Sequence, residues 1–301
     1  MTTAALAPQK SETLPPFAVA ETTRRRYSCR AYRPQPLSAT LRAQMTELVA
    51  SVTSGPFGTP VRFRLLAAEP GDTKTLAGLG TYGFISGASA FIAGAVAQGD
   101  HDLEDYGYAL ERIVLGATHL GLGTCWLGGS FSKSHFAQAV ALEARESLPA
   151  VSALGHPVEH AERGLFRRVI GAQKRLPFGQ LFFDGTFASP LTPEAAGPYA
   201  AVLETLRIGP SASNKQPWRV VRAGRAWHLC LQRTPGYGKG SVLNRMFRVA
   251  DLQRADMGIA MCHFELQARE LGLEGRWVHQ APSFELPEGT EYSVTWAVDA
   301  T

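Results

Sequence analysis

Apolar residues at Leu41, Met45, Leu48 and Val52 recur every three to four positions behind Ser38, a spacing that predicts a helix capped by that serine. Residues 61–68, 88–96 and 150–156 are short, mostly apolar runs and predict strands. Between them, residues 102–121 predict a long helix and residues 132–142 a shorter, capped one. The pattern is mixed α and β. Residues 1–20, with Pro8, Pro15 and Pro16 among small and polar neighbours, predict a loosely ordered, flexible arm.

The same pattern occurs twice. DYGYALERIVLGATHLGLG, residues 105–123, returns 151 positions later as DMGIAMCHFELQARELGLE, residues 256–274. Upstream, a helix leading into Thr59-Pro60-Val61-Arg62-Phe63 corresponds to a helix leading into Gln216-Pro217-Trp218-Arg219-Val220. A diverged duplication follows, with the arm at 1–20, a first half at 21–187 and a second half at 188–301. The two long helices, rich in small residues, are expected to pack face to face. Leu110, Ile113 and Ala117 on one, and Ile259, Cys262 and Leu266 on the other, are the apolar residues that separated halves would expose.

Composition narrows the class. With 301 residues, 45% hydrophobic and 19% charged, the chain has the make-up of a globular protein, which excludes wholesale disorder, collagen and coiled coil. Its longest apolar stretches are broken by Gly, Ser or His and fall short of the ~20 residues of a membrane span. A net charge of +4 is too small to argue for nucleic acid, although arginine greatly outnumbers lysine. Four cysteines without a CxxC, and a start without the apolar core of a signal peptide, lead to the expectation of a reduced, cytoplasmic protein.

Three segments carry candidate chemistry. In Arg24-Arg25-Arg26-Tyr27-Ser28-Cys29-Arg30, extended backbone would put Arg26, Ser28 and Arg30 on one side, a row able to bind a phosphate and a second electron-rich group. The same cluster could equally be a solvated basic turn. Residues 208–218 (IGPSASNKQPW) join a helix to a strand through small hydroxyl and amide residues, which admit a flat polar ligand or simply form a turn. Residues 121–129 (GLGTCWLGG) follow the long helix and bring glycine backbone where N–H groups could meet a ligand.

Other signals fail. The GxGxxG at 78–83 lacks a strand before it and a helix after it, and residues 236–241 lack the P-loop spacing. His156 and His160 near Glu159 have no third ligand, so no metal is expected, and no serine lies in GxSxG.

Together, RxSxR before the first helix, SxNxQPW at the loop-to-strand junction, the long helix ending in GLGTCWLGG, and ALGHP (153–157) followed by QKRLP (173–177) resemble the flavin-dependent nitroreductase family. The two-half arrangement and KRLPFGQLFF resemble its TM nitroreductase branch. The resemblance implies an α+β nitroreductase-like fold with tandem halves as an intramolecular pseudo-dimer. It also implies one FMN at the interface of the halves and hydride relay from NAD(P)H to a small aromatic or quinone-like acceptor.

The first half would contribute Arg26, Tyr27, Ser28 and Arg30, Thr81, then Trp126, Leu127, Gly128 and Gly129, and finally Lys174 and Arg175. The second would contribute Pro210, Ser211, Ala212, Asn214 and Gln216. Each half lacks what the other keeps: the first reads SGPFGTP in place of the loop, and the second has no RxSxR and reads GLEGRWV after its helix. No catalytic acid, base or nucleophile is implied. A flavin-binding sensor or storage protein with little turnover, and a scaffold whose site has decayed, are the other readings of the same residues.

Overall fold

Repetition in the sequence becomes repetition of strand order. The computed structural model describes residues 4–5, 17–69, 76, 79–81, 83–158, 174–237 and 250–299. Where residues 1–20 are described they are not loose: Ala4–Ala5 form β1, and Val19, fully buried, starts α1 (Val19–Arg25), while the first half continues with α2 (Ala39–Ser51), β2 (Val61–Ala67), β3 (Ala90–Ala97), α3 (Asp102–His119), β4 (Gly123–Leu127), α4 (Lys133–Ala139), β5 (Glu146–Ser147) and β6 (Val151–Gly155). There follow β7 (Phe182–Asp184), α5 (Ala200–Arg207), β8 (Trp218–Ala223), β9 (Ala226–Gln232), α6 (Leu252–Glu270), β10 (Gly275–His279) and β11 (Thr290–Val298). Most of the N-terminal arm, Gly78 and Tyr82 of the glycine stretch, Glu159, His160, Gln173 and residues 238–241 lie outside the described residues.

One sheet runs β2-β3-β6-β4, with β5 also paired to β3; the other contains β8-β9-β11-β10 in the corresponding order. Both cores are antiparallel. The second sheet is extended at each edge by chain that precedes it in sequence: β7 lies parallel to β8, with Phe182 opposite Val220, and β1 pairs with β10, Ala4 opposite His279. The fold is α+β, two halves of like strand order forming a pseudo-dimer within one chain.

Ser38 accepts the Leu41 N–H at 3.2 Å and starts α2, whose buried residues are Met45 and Val49. β4 was not anticipated. Its strand begins at Gly123, which lies opposite Gly155, and a Cβ there would press on Cys29 Sγ at 3.0 Å, so glycine serves close packing here, while Gly121, with φ of 79°, is the one that ends the helix.

The helices α3 and α6 pack against each other at the centre and are buried along nearly their whole length. They touch backbone to backbone. A Cβ on Gly107 would fall closer than 3.0 Å to the Ala255 carbonyl, and one on Gly258 equally close to the Glu104 carbonyl. The two contacts exchange under the 151-residue repeat, as a two-fold relation between halves requires.

The apolar residues expected at this crossing behave differently on α3. Leu110, Ile113 and Ala117 pack into the first half's own core with Met45, Val49 and Ile92, while Tyr108 and Leu115 join the second half's core. A helix buried all round has no single apolar face for periodicity to reveal, and close approach selects the smallest residues. On α6, Cys262 and Leu266 also enter the second half's core. Arg254 ties the halves further, donating Nε and Nη2 to the Glu104 carboxylate at 2.9 and 2.6 Å. No helix among the described residues is long and apolar enough to cross a membrane, and the four cysteines are buried.

Candidate functional site

The chain leaves α1 at Arg26 in an extended conformation and runs beside β4, where Ser28 bridges Thr124 and the Cys29 N–H donates to the Thr124 carbonyl at 2.8 Å. Alternation then sorts the side chains. Arg26, Ser28 and Arg30 line a cavity of about 410 Å³, whereas Cys29 enters the core and Tyr27 packs against the cluster around it. The end of β4 adds Trp126 and Leu127, followed by Gly128 and Gly129. A Cβ on Gly128 would overlap the Leu252 side chain, so glycine lets the start of α6 close against this wall.

The second half completes the cavity with Pro210, Ser211, Ala212, Ser213 and Asn214, and with Leu252, Ala255, Asp256 and Ile259 of α6. Its loop is held in an unusual shape: Ser213, Asn214 and Gln216 have φ of 49°, 55° and 49°, the left-handed region that non-glycine residues adopt at a cost of about 1–2 kcal/mol each. The Gln216 N–H donates to Ser211 Oγ at 2.8 Å and the Ala212 N–H to Asp256 Oδ1 at 2.9 Å, bonds that maintain that shape.

Arg175 lines the cavity and joins the halves, donating Nη1 to Asn214 Oδ1 at 3.0 Å and Nη2 to the Ile208 carbonyl at 3.1 Å. Lys174 and Gln216, by contrast, are absent from the cavity wall. The Lys174 carbonyl accepts from Asn214 Nδ2 at 2.9 Å, and Gln216 Oε1 accepts the Leu176 N–H at 2.8 Å, so both residues fix the loop from behind. Thr81 is likewise buried away from the cavity; its carbonyl accepts the Phe84 N–H at 2.9 Å, and Phe84, 42% exposed, is the residue of that segment that reaches the wall.

The electrostatics are concentrated at Arg26. Its Nε is buried without a hydrogen-bond partner, and burial lowers its pKa from the ordinary arginine value. Glu111 stands 3.9 Å away, but its carboxylate already accepts Trp126 Nε1 at 2.8 Å and faces His263 Nε2 at 3.0 Å. An arginine so placed favours an anion in the cavity. Asp256, which the motif reading did not single out, is 2% exposed, and its Oδ2 is buried and unpartnered. The one sequence signal for it was the recurrence of aspartate at 105 and 256 near the start of two buried helices.

The position related by the two-fold is built differently. Asp105 accepts the Phe57 and Thr59 N–H groups at 2.8 and 2.7 Å, so the loop SGPFGTP docks on its helix as the other loop docks on Asp256. There the Phe57 ring stacks on His101, centroids 4.1 Å apart and planes within 13°, and His101 Nε2 lies 3.2 Å from His279 Nε2. His101 precedes Leu252 by 151 positions, and His279 ends β10 as Leu127 ends β4.

The family model described as "Putative TM nitroreductase" matches residues 18–268, and the chain belongs to that family. A solved structure of a nitroreductase-type protein from Thermotoga maritima shares the fold at 18% identity and a TM-score of 0.57, covering 97% of this chain and 99% of that one. A nitroreductase from Desulfovibrio desulfuricans in complex with FMN matches at 28% identity and a TM-score of 0.38, over 49% of this chain and 95% of that one. No curated protein matches the chain.

Proposed function

We propose that the protein is a cytoplasmic, FMN-dependent NAD(P)H oxidoreductase that binds one FMN between its halves and reduces a small aromatic or quinone-like acceptor. The observation that carries this reading is the composite wall: Arg26, Ser28, Arg30, Gly128 and Arg175 from one half against Ser211, Ala212 and Asn214 from the other, around about 410 Å³. That volume falls in the ~300–1,000 Å³ range of small-molecule sites. The unpartnered Arg26 Nε fits a phosphate, which guanidinium groups bind with charge-assisted bonds.

FMN, when bound, supplies the capacity to take up and release hydride. Arg26, Ser28 and Arg175 hold its phosphate. Arg30, two residues further along the row, contributes a positive charge that stabilises the negative charge gained on reduction. The loop at 210–214 and the backbone at Gly128 and Gly129 confine the ring system from opposite halves, and Phe84 and Tyr237 border the remaining space, where nicotinamide and acceptor would bind in turn.

Purified protein reconstituted with FMN is expected to be yellow, to retain one flavin per chain, and to oxidise NAD(P)H when a quinone or nitroaromatic is added. A ratio near two, or no bound flavin, refutes the composite site. Retained flavin with negligible turnover favours the storage or sensor reading.

A further inference from the structure

Asp105 and Asp256 occupy equivalent positions of the repeat, and each carboxylate receives a loop from its own half. Their second oxygens differ. The first loop turns two N–H groups, from Phe57 and Thr59, to the two oxygens of Asp105. The second loop gives Asp256 only the Ala212 N–H, because the Gln216 N–H is directed to Ser211 Oγ instead. Asp256 Oδ2 is therefore left buried and unpartnered in a side chain that lines the cavity. A buried polar atom without a partner is costly unless a ligand satisfies it.

We propose that Asp256 is a ligand-binding residue that holds its carboxyl in the neutral form and donates its O–H from Oδ2 to a hydroxyl, carbonyl or ring-nitrogen acceptor of the molecule in the cavity. The assignment rests on reading that molecule as FMN. Oδ1 is committed to the Ala212 N–H as acceptor, which leaves the proton to Oδ2. The charged groups around it oppose ionisation. Burial above all pushes the Asp256 carboxyl well above the usual carboxylate range, against the Ala212 N–H bond; the negative charges of Asp251, just before α6, and of Glu111 on α3 add to the rise, and Tyr237 faces it. Of the cations nearby, Arg26 faces Glu111, Arg175 is bonded to Asn214 and the Ile208 carbonyl, and Arg233 is bonded to Asp251; none is hydrogen-bonded to Asp256 Oδ2, while Arg30 also lines the cavity.

Two measurements on the full chain separate this proposal from the FMN reading itself. In FMN titrations of the apo-protein at pH 6, Asp256→Asn, which keeps both an acceptor and a donor, is expected to bind within about threefold of wild type, and Asp256→Ala about tenfold or more weaker. Wild-type affinity relative to Asp256→Asn is expected to stay level or fall as pH rises. An Asn variant as weak as the Ala variant, an Ala variant as tight as wild type, or a wild-type affinity that rises with pH relative to Asn overturns the donor role.

Denaturant melts of the apo-protein decide the protonation without flavin. The unfolded aspartate is ionised at neutral pH, so folding must take up a proton. The wild-type folding constant is therefore expected to fall relative to Asp256→Asn as pH rises, by up to tenfold per pH unit while the buried carboxyl stays neutral. Curves that stay parallel from pH 6 to 8 overturn the neutral form. A wild type that binds no FMN at any pH refutes the reading of the site, and the melts still decide the state of Asp256.

Discussion

Replacing Gly258 with alanine is expected to force the two central helices apart. The new Cβ would lie closer than 3.0 Å to the Glu104 carbonyl oxygen, 2.7 Å from the Tyr108 nitrogen and 2.8 Å from the Glu104 carbonyl carbon. All three are backbone atoms, so no side-chain rotation can relieve the overlap. Overpacking of this kind costs about 1–3 kcal/mol and occasionally more, and three backbone overlaps put this contact at the top of that range, against a gain of about 1 kcal/mol from the better helix propensity of alanine. A net loss of about 2 kcal/mol lowers the melting temperature by about 4–8 °C.

Gly107→Ala meets the Ala255 carbonyl in the related contact and is expected to cost a similar amount. Gly116→Ala is the control on the same helix as Gly107. The atoms nearest its Cβ all belong to the Leu48 side chain, which can turn away, and the melting temperature is expected to stay within about 2 °C of wild type. Ala255, Asp256 and Ile259 line the cavity within three residues of Gly258, so the separation also reaches the site and FMN binding is expected to weaken several-fold. Thermal melts and FMN titrations of the three variants provide the test. A Gly258→Ala protein as stable as wild type, or a Gly116→Ala protein that loses as much, refutes the backbone-contact argument.

Arg26→Ala is expected to weaken FMN binding by about 10- to 100-fold, the loss of one charge-assisted bond at about 1.5–3 kcal/mol, while Arg30→Ala chiefly makes the bound-flavin potential more negative. Titration and potentiometry on both variants check the division, and the reverse pattern would exchange the two roles. Burial pushes the Asp105 carboxyl from its ordinary 3.8 up to about 6, although two backbone N–H bonds oppose the shift. Folding then takes up a proton between those values, so wild-type stability relative to Asp105→Asn is expected to fall as pH rises from about 4 to about 6 and to level off above that. Urea melts at pH 4.5, 6 and 7 test the sign; a relative stability that grows with pH would show that the two N–H bonds outweigh burial.

The parts of the molecule that were legible in the sequence are those where chemistry follows chain geometry directly. An extended segment must alternate, which placed Arg26, Ser28 and Arg30 together, and the 151-residue repeat carried the order of strands in both sheets. Long-range hydrogen bonding was not legible. Lys174 and Gln216 occur in motifs that border the cavity, yet which atoms face it depends on the left-handed turns at Ser213, Asn214 and Gln216. Phe84, rather than Thr81, reaches the wall, a distinction three residues wide in a segment without regular structure. Asp256 was hidden for the opposite reason: it interrupts an apolar helix, and its partner on the loop, Ala212, lies 44 residues away.

Fusion explains how the two related positions could diverge. In a dimer of identical chains, any substitution near one interface site is made at both. Within one chain each position changes alone, and the losses here complement each other. Gly128 gives space to Leu252 at the composite cavity, while at the related place His101 and His279 approach and the ring of Phe57 stacks on His101. Phe57 is carried by the loop that Asp105 anchors, as Asp256 anchors Ala212, so the same docking interaction delivers an aromatic ring to one side and a small residue to the other. The pair of docked loops keeps the halves' packing alike, with the described ligand-sized cavity at the wall that carries Arg26 and Arg30 and stacked rings at the related place. Restoring the second position would therefore require replacing Phe57, His101 and His279 together and rebuilding an arginine row that the second half lacks, so the packing supports the proposed single cofactor per chain on grounds independent of the missing motif.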